Sequence, residues 1–234
     1  MTDLTNWQGC ARPAPARLEG RTLVLEAFDE ARHGIDLWRA LGGDQNANEH
    51  IKYFPDAPYT GAGHFASTYA TKQSEWHTMV MRTQPRGDAH QSDSDALGDV
   101  VGMASYMRIR PDYGSIEIGA VAHGAAMARS SLSTEAHFLL AKHVFEDLGY
   151  RRYEWKLNDA NQPSHKAALR LGFTFEGTFR QDMVVHRANR DTAWYSMLDS
   201  EWPSRKAALE TWLDPSNFDA SGQQRKTLET FRQP

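Results

Sequence analysis

Residues 152–180 constrain the fold of this chain more than any other stretch. Arg152-Tyr153-Glu154-Trp155-Lys156-Leu157 alternates as a half-buried strand does, and Phe173-Thr174-Phe175-Glu176-Gly177-Thr178-Phe179-Arg180 alternates in the same way. Between them a short loop opens a helix at Asn161-Gln162-Pro163-Ser164. Pro163 suits the first helical turn, where its missing N–H would be unpaired anyway. Gly172 stands where a helix ends in the left-handed conformation, which costs a residue without Cβ little. The segment therefore reads as strand, loop, helix, glycine stop, strand.

The rest of the chain supplies elements that such a unit can join. Residues 1–18 read as a flexible leader, and residues 21–28 as a first strand. Asp29 or Glu30 begins a helix carrying Ile35, Leu37, Trp38 and Leu41, which Gly42-Gly43 stops. After an aromatic loop with Tyr53, Phe54 and Tyr59, a helix is predicted over residues 63–72. Residues 76–81 and 100–109 read as two strands of a meander. The polar stretch 84–99 between them is a long hairpin loop or insertion. Residues 115–122 form another strand, with Ile116, Ile118 and Ala120 on one face and Glu117, Gly119 and Val121 on the other. Ala136, Leu140, Val144 and Leu148 share a helical stripe over 133–148, closed by Gly149. Residues 192–198 are the last strand. This order predicts a mixed α/β sheet with helices on both faces, in one domain spanning 19–202. In the extension 203–234, Ala207, Ala208, Leu209 and Trp212 continue from Trp202 as an amphipathic helix, and residues 226–231 suit another. That extension either packs on the domain, the commoner fate of an apolar stripe, or makes a dimer or partner contact.

Composition narrows the functional classes. A hydrophobic content of 40%, with 7 Trp, 8 Tyr and 10 Phe in 234 residues, builds a sizeable core and excludes wholesale disorder. A net charge of −4 argues against a protein-wide nucleic-acid surface. The lone Cys10 forms no internal disulfide and agrees with a reducing compartment. With no apolar signal core and no membrane-length apolar run, a cytoplasmic protein without membrane contact is the default. The ten histidines show no compact ligand pattern, and His137 and His143 lie on different helix faces, so no metal is expected.

With Asn161-x-x-Ser164 at the helix entrance, Leu171-Gly172-Phe173 at its end and Glu176-Gly177-Thr178-Phe179-Arg180 as the next turn, the segment resembles the distal half of the GNAT N-acetyltransferase fold. Within that superfamily it is similar to the ribosomal-protein N-terminal (alanine/serine) acetyltransferases. Glu117-Ile118-Gly119 matches the family's Glu-Ile-Gly. The resemblance implies a mixed, mostly antiparallel central sheet splayed between two parallel strands, here 115–122 and 152–157. It implies acetyl-CoA as co-substrate and no metal. The acceptor would be a small-molecule amine or a protein N-terminus, attacked directly in a ternary complex by a monomer or homodimer.

Residues 128–134 depart from that family. Its pyrophosphate loop reads Gln/Arg-x-x-Gly-x-Gly/Ala, so that backbone can approach the phosphates. Here the aligned residues are Ala128-Arg129-Ser130-Ser131-Leu132-Ser133, without the lead residue and the central glycine. The candidate coenzyme A residues are Val121, Ala122, Arg129, Ser130, Ser131, Ser133, Thr134, Asn161 and Ser164. Arg129 offers a planar fork for phosphate oxygens, and the hydroxyls supplement the positive helix end. The serines equally suit a plain helix N-cap region. Ser164 is the general-acid candidate, or a helix cap, or both. Asn161 would bond pantetheine or the loop backbone. Glu117 leads as base, directly or through a water, with a surface carboxylate as the other reading; Asp182 is the second acid. His123 and His165 could titrate near neutrality. Trp38, Tyr53, Phe54 and Tyr59 line the acceptor side or pack in the core. The alternative to an enzyme is a non-catalytic GNAT-like binding module whose altered loop no longer holds coenzyme A.

Overall fold

A computed structural model of the chain describes residues 3–84, 98–128 and 130–232. Arg129 and residues 85–97 of the polar segment lie outside the described residues. Eight strands make one sheet: β1 (Arg17–Glu19), β2 (Leu23–Ala27), β3 (His77–Thr83), β4 (Val100–Arg110), β5 (Ser115–His123), β6 (Arg152–Asn158), β7 (Thr174–Val185) and β8 (Ala188–Leu198). Their order is β1-β2-β3-β4-β5-β6-β8-β7, and every neighbouring pair is antiparallel except β5 with β6.

Strand alternation divides the core in two. Leu23, Leu25, Met79, Met81, Ile116 and Ile118 face one side, under helices α4 (Leu132–Lys142), α5 (Gln162–Leu171) and α6 (Trp202–Leu213). Val80, Met103 and Ala122 face the other, under α1 (Glu30–Ala40), α2 (Gly43–His50) and α3 (Ala62–Lys72). The sheet thus carries helices on both faces, as the element order predicts.

Local chemistry sets the starts of α1 and α5. The Asp29 side chain accepts from the Arg32 N–H at the start of α1. Asn161 does the same for Ser164 at the start of α5, and Gly172 closes that helix at φ +97°. A short α7 (Leu228–Phe231) follows α6, and then the Arg232 guanidinium donates to the carbonyls of Leu169 and Arg170 at the end of α5. A cation is favoured there because the last carbonyls of a helix lack partners.

Several elements differ from the sequence reading. Ile35 is 59% exposed, because the buried stripe of α1 runs through His33, Gly34, Leu37 and Trp38 instead. Gly42-Gly43 does not simply end a helix: Gly42 turns the chain at φ 113° into α2, whose polar sequence carries no apolar stripe. The predicted helix 133–148 changes geometry midway, since His143–Asp147 winds as a wider π turn with Val144 and Phe145 both buried. In α6, Trp202, Ala208, Leu209 and Trp212 are buried while Ala207 is exposed. The β7–β8 hairpin is longer than predicted; Gln181 adopts φ +54° where the register shifts, and this kink carries the strand past its polar middle. At the leader, Trp7 Nε1 donates to the Asp112 carbonyl at 2.7 Å, and the Tyr150 hydroxyl donates to the Ala11 carbonyl at 3.0 Å.

Candidate active site

The sheet opens where its two parallel strands part. β5 and β6 pair only from Ser115↔Arg152 to Ile118↔Trp155. Beyond Ile118, β5 continues with β4 and β6 continues with β8, so Gly119, Ala120 and Val121 have no ladder partner on the β6 side. Ala120 sits at φ +47°, beside a register shift of β4 against β5. A non-glycine residue held there costs about 1–3 kcal/mol, so the surrounding pairing must over-determine it. The result is a strand edge with free backbone groups in a cleft.

That cleft has a volume of about 390 Å³. Residues 117–121 form its floor, residues 155–158 one wall, and Asn161 and Ser164 of α5 its far end. Tyr53 and Phe54 close it opposite, as one of the two sequence readings has it. Trp38 and Tyr59 do not reach it. They are buried with Phe65 in the helical core, where the Trp38 indole donates to Asp44 at 2.7 Å.

Glu117 is 3% exposed and sits in the cleft. Its Oε2 has no hydrogen-bond partner among the described residues, and its ion contact is a 3.4 Å approach from Arg108 Nε. Burial pushes its pKa up to about 7, against the pull of Lys156, Arg108 and Arg190; the Glu154 charge adds to the rise. Glu154, its register partner on the parallel strand β6, is by contrast held by Arg110 at 2.9 Å and Arg152 at 2.7 Å. Of two buried carboxylates on one sheet face, one is locked in ion pairs and the other is left able to take a proton. Asp182 is exposed at the cleft rim and does not line it; the adjacent Met183 does.

Ser164 has a defined hydrogen-bonding state. Its Oγ accepts from Trp155 Nε1 at 3.0 Å, and its backbone N–H is taken by the Asn161 side chain at 3.3 Å. Asn161 is therefore the cap and Ser164 is not. With the indole occupying an acceptor site, the hydroxyl proton is free to be donated into the cleft.

A second cavity of about 500 Å³ lies by the first turn of α4. Ser130, Ser131 and Ser133 line it, with Arg170 of α5 across from them and Trp212 of α6 beside. Ser131 occupies the cap position without a side-chain cap bond, while the Ser130 hydroxyl donates to the Met127 carbonyl at 2.9 Å. The first-turn N–H groups of α4 thus keep no side-chain acceptor among the described residues, as an anion site needs. The Arg170 guanidinium donates to Thr134 Oγ1 at 2.8 Å and lies 4.8 Å from the Trp212 ring centre. Thr134 is buried and acts by holding Arg170. Val121 lines the cleft, whereas Ala122 is buried in the helical core.

His123 falls differently from the sequence expectation. His123 and His137 meet edge to face at 5.3 Å inside the second cavity. Burial drops the His123 pKa to about 4 and holds His137 well below its ordinary range, so both are neutral at physiological pH. His165 bridges the Tyr195 hydroxyl at 2.7 Å and the Asp159 carbonyl at 2.9 Å, a latch between α5 and β8.

Sequence reasoning missed Arg170, Trp155 as the partner of Ser164, and the cleft cations Arg108, Lys156 and Arg190. Each sits in an unremarkable strand or helix pattern, and only the fold brings them to one place.

Comparison with known proteins agrees with this fold. Residues 23–174 match the acetyltransferase (GNAT) domain family. A solved GCN5-related N-acetyltransferase from Brucella melitensis is 40% identical, with 98% of this chain and 99% of that one covered at a TM-score of 0.86. A GNAT-family protein from Chromobacterium violaceum is 37% identical over 87% of this chain and 96% of that one, at a TM-score of 0.74. A ribosomal-protein alanine acetyltransferase from Vibrio fischeri is 13% identical over 80% of this chain and 99% of that one, at a TM-score of 0.59, a likeness of fold alone. No curated protein matches at a significant level. The chain belongs to the GNAT acetyltransferase family.

Proposed function

We propose that the protein transfers an acetyl group from acetyl-CoA to the primary amine of a small molecule or a protein N-terminus, by direct attack in a ternary complex. The observation that carries this reading is the splay itself. One opening holds a free strand edge, a proton-accepting carboxylate and a proton-donating hydroxyl, with an anion-suited cavity beside it.

The residues present fit coenzyme A. Its diphosphate matches the uncapped first turn of α4, the hydroxyls of Ser131 and Ser133, and Arg170; Arg129 is proposed to add a second guanidinium. When bound, the thioester supplies the acetyl group. Gly119–Val121 offers backbone groups along the free edge of β5 to orient the pantetheine arm and the thioester carbonyl. Glu117 takes the proton of the attacking amine, directly or through a water. The amine nitrogen bonds to the carbonyl carbon, the carbon–sulfur bond breaks, and Ser164 gives its proton to the departing thiolate. Asp182 at the rim acts on this chemistry only through the charge it places near Arg190.

The similarity to the ribosomal-protein branch rests on the Asn161–Arg180 motifs and leaves both acceptor classes open. Calorimetric titration with acetyl-CoA, paired with thermal unfolding, tests the reading. Binding heat and a raised melting temperature are expected, because a ligand held only by the native state stabilises it. Absence of both would leave a GNAT-like binding module.

A further inference from the structure

Arg190 is one of the charged groups in the cleft that the reaction above does not use, and the most buried of its cations. It projects from β8 and is 8% exposed, with what remains of its surface lining the cleft beside Glu117. Its Nε is buried without a hydrogen-bond partner, and among the described residues Arg190 has no ion-pair contact. Glu117 and Asp182 act on it only through space, and burial is the larger influence, working against its charged form. A guanidinium whose Nε is buried without a partner is unfavourable, so folding alone gives little reason to hold one there.

The surrounding charges make the same point. Arg108 and Lys156 also line the cleft, both lying against the Trp194 ring at 5.0 and 4.9 Å. Lys72 on the opposite wall is paired with Asp56 and adds no net charge. Glu117 thus faces Arg108, Lys156 and Arg190, with Arg108 also 4.0 Å from Glu154, which is itself paired with Arg110 and Arg152. An amine arrives from water as an ammonium ion, which this field repels. An amine that brings its own negative charge meets no such barrier. Once inside, its ammonium group loses a proton more readily among cations.

We propose that the acceptor is a small amino-carboxylate, and that Arg190 receives its carboxylate. This rests on the reading of the cleft as the acceptor side of an acetyl-CoA-dependent enzyme. Size favours a small acceptor over a polypeptide, since 390 Å³ is near the low end for ligand sites and Val121, Asn161 and Ser164 place the donor's reacting end in the same space.

The test uses matched acceptors with acetyl-CoA: glycine, β-alanine and glycyl-glycine, each against its own carboxamide, with rates compared per unit of free amine. The expected result is a kcat/KM at least about tenfold higher for each acid than for its amide, as for a site built to bond the missing group. Arg190→Met should erase that preference chiefly through KM, and Arg190→Lys should retain part of it. The melting temperature of Arg190→Met should equal or exceed that of the parent, because an unpaired buried charge is replaced by an apolar chain. A melting temperature that falls while the preference survives would make Arg190 structural and overturn the proposal. Amides accepted as well as acids, or no member of the panel acetylated, would overturn it too. Preference for glycyl-glycine over glycine would assign the site to a peptide end and overturn the small acceptor. Acetyl-CoA titration of the same preparations separates the two levels: no binding defeats the enzymatic reading, whereas binding without acid preference defeats this inference alone.

Discussion

The two openings beside the β5–β6 splay are built from different kinds of structure. The 500 Å³ cavity is made of helix beginnings and hydroxyls, with neutral histidines at its back and Arg170 as its cation. The 390 Å³ cleft is made of a sheet face carrying opposed charges, walled by Tyr53, Phe54 and Trp155. The first can hold an anion with backbone groups that never change charge. The second is tuned to exchange protons, because a buried carboxylate sits among guanidinium and ammonium groups at a distance that biases its titration without fixing it. In the proposed reaction, binding and chemistry would thus be separated by a few residues of β5.

Substituting one side of the splay should leave the other intact, and the largest effect is expected at Glu117. Glu117→Gln should lower kcat on the order of 10²–10³-fold while acetyl-CoA affinity stays as in the parent. The parent's rate should fall as pH drops through about 7, where Glu117 becomes protonated and can no longer accept the amine proton, and the variant should lose that dependence. Stability should respond with the opposite sense. The native carboxyl holds its proton more tightly than an unfolded one at 4.5, so the parent gains from Glu117 at low pH. It loses that contribution as pH rises through about 7. Unfolding curves at pH 5 and 8 check this: the variant should gain on the parent at the higher pH. A parent rate independent of pH across that window would show that Glu117 is not the base.

Arg170→Ala should act on the other side. Loss of a charge-assisted phosphate contact predicts acetyl-CoA binding weaker by about 10–100-fold, with pantetheine-fragment binding nearly unchanged. Equal weakening of both, measured by calorimetry, would mean that Arg170 serves the α4–α5 packing through Thr134 instead. Ser164→Ala should lower kcat by roughly tenfold with little change in acetyl-CoA affinity. It should also destabilise the fold by about 1–3 kcal/mol, since the Trp155 indole loses its acceptor. Restoration of full rate with a thioester carrying a better leaving thiol would assign the loss to protonation of the thiolate. Asn161→Ala is the mildest test. Losing the α5 cap should cost about 1 kcal/mol and lower the melting temperature by about 2–4 °C. A fall in kcat larger than that of Ser164→Ala would show that Asn161 touches the substrates directly.

The same division explains what could be read from the sequence. The α5 entrance is contiguous, and its proline, cap and glycine stop follow from local rules, so it was legible; the serines before α4 mark a helix start, but Ser131 makes no cap bond there. The cleft charges come from β4, β5, β6 and β8, and each looks like an ordinary outward residue of an alternating strand. Nothing in Asn189-Arg190-Asp191 marks Arg190 as buried, because that depends on how far the β7–β8 hairpin continues past Gln181. Asp182 and Met183 show the converse: a displacement of one residue along a strand exchanges cleft for solvent. The start of α2 was illegible for another reason. Gly42-Gly43 is a stop signal by composition, and only the fold shows a second helix beginning there, with Asp44 tied to the Trp38 indole.

The bond from Trp155 Nε1 to Ser164 Oγ has a practical corollary. The chain has 7 tryptophans, so an amide-type nitrogen–proton spectrum should show as many indole signals, few enough to assign by single replacement. The Trp155 signal reports the electron density on the serine oxygen from inside the cleft. Any event that recruits the hydroxyl proton makes that oxygen a better acceptor and should shift the indole proton downfield, with no label added to the substrate. The enzyme therefore carries a built-in spectroscopic gauge, and titrating thiols of graded acidity against it would calibrate the scale.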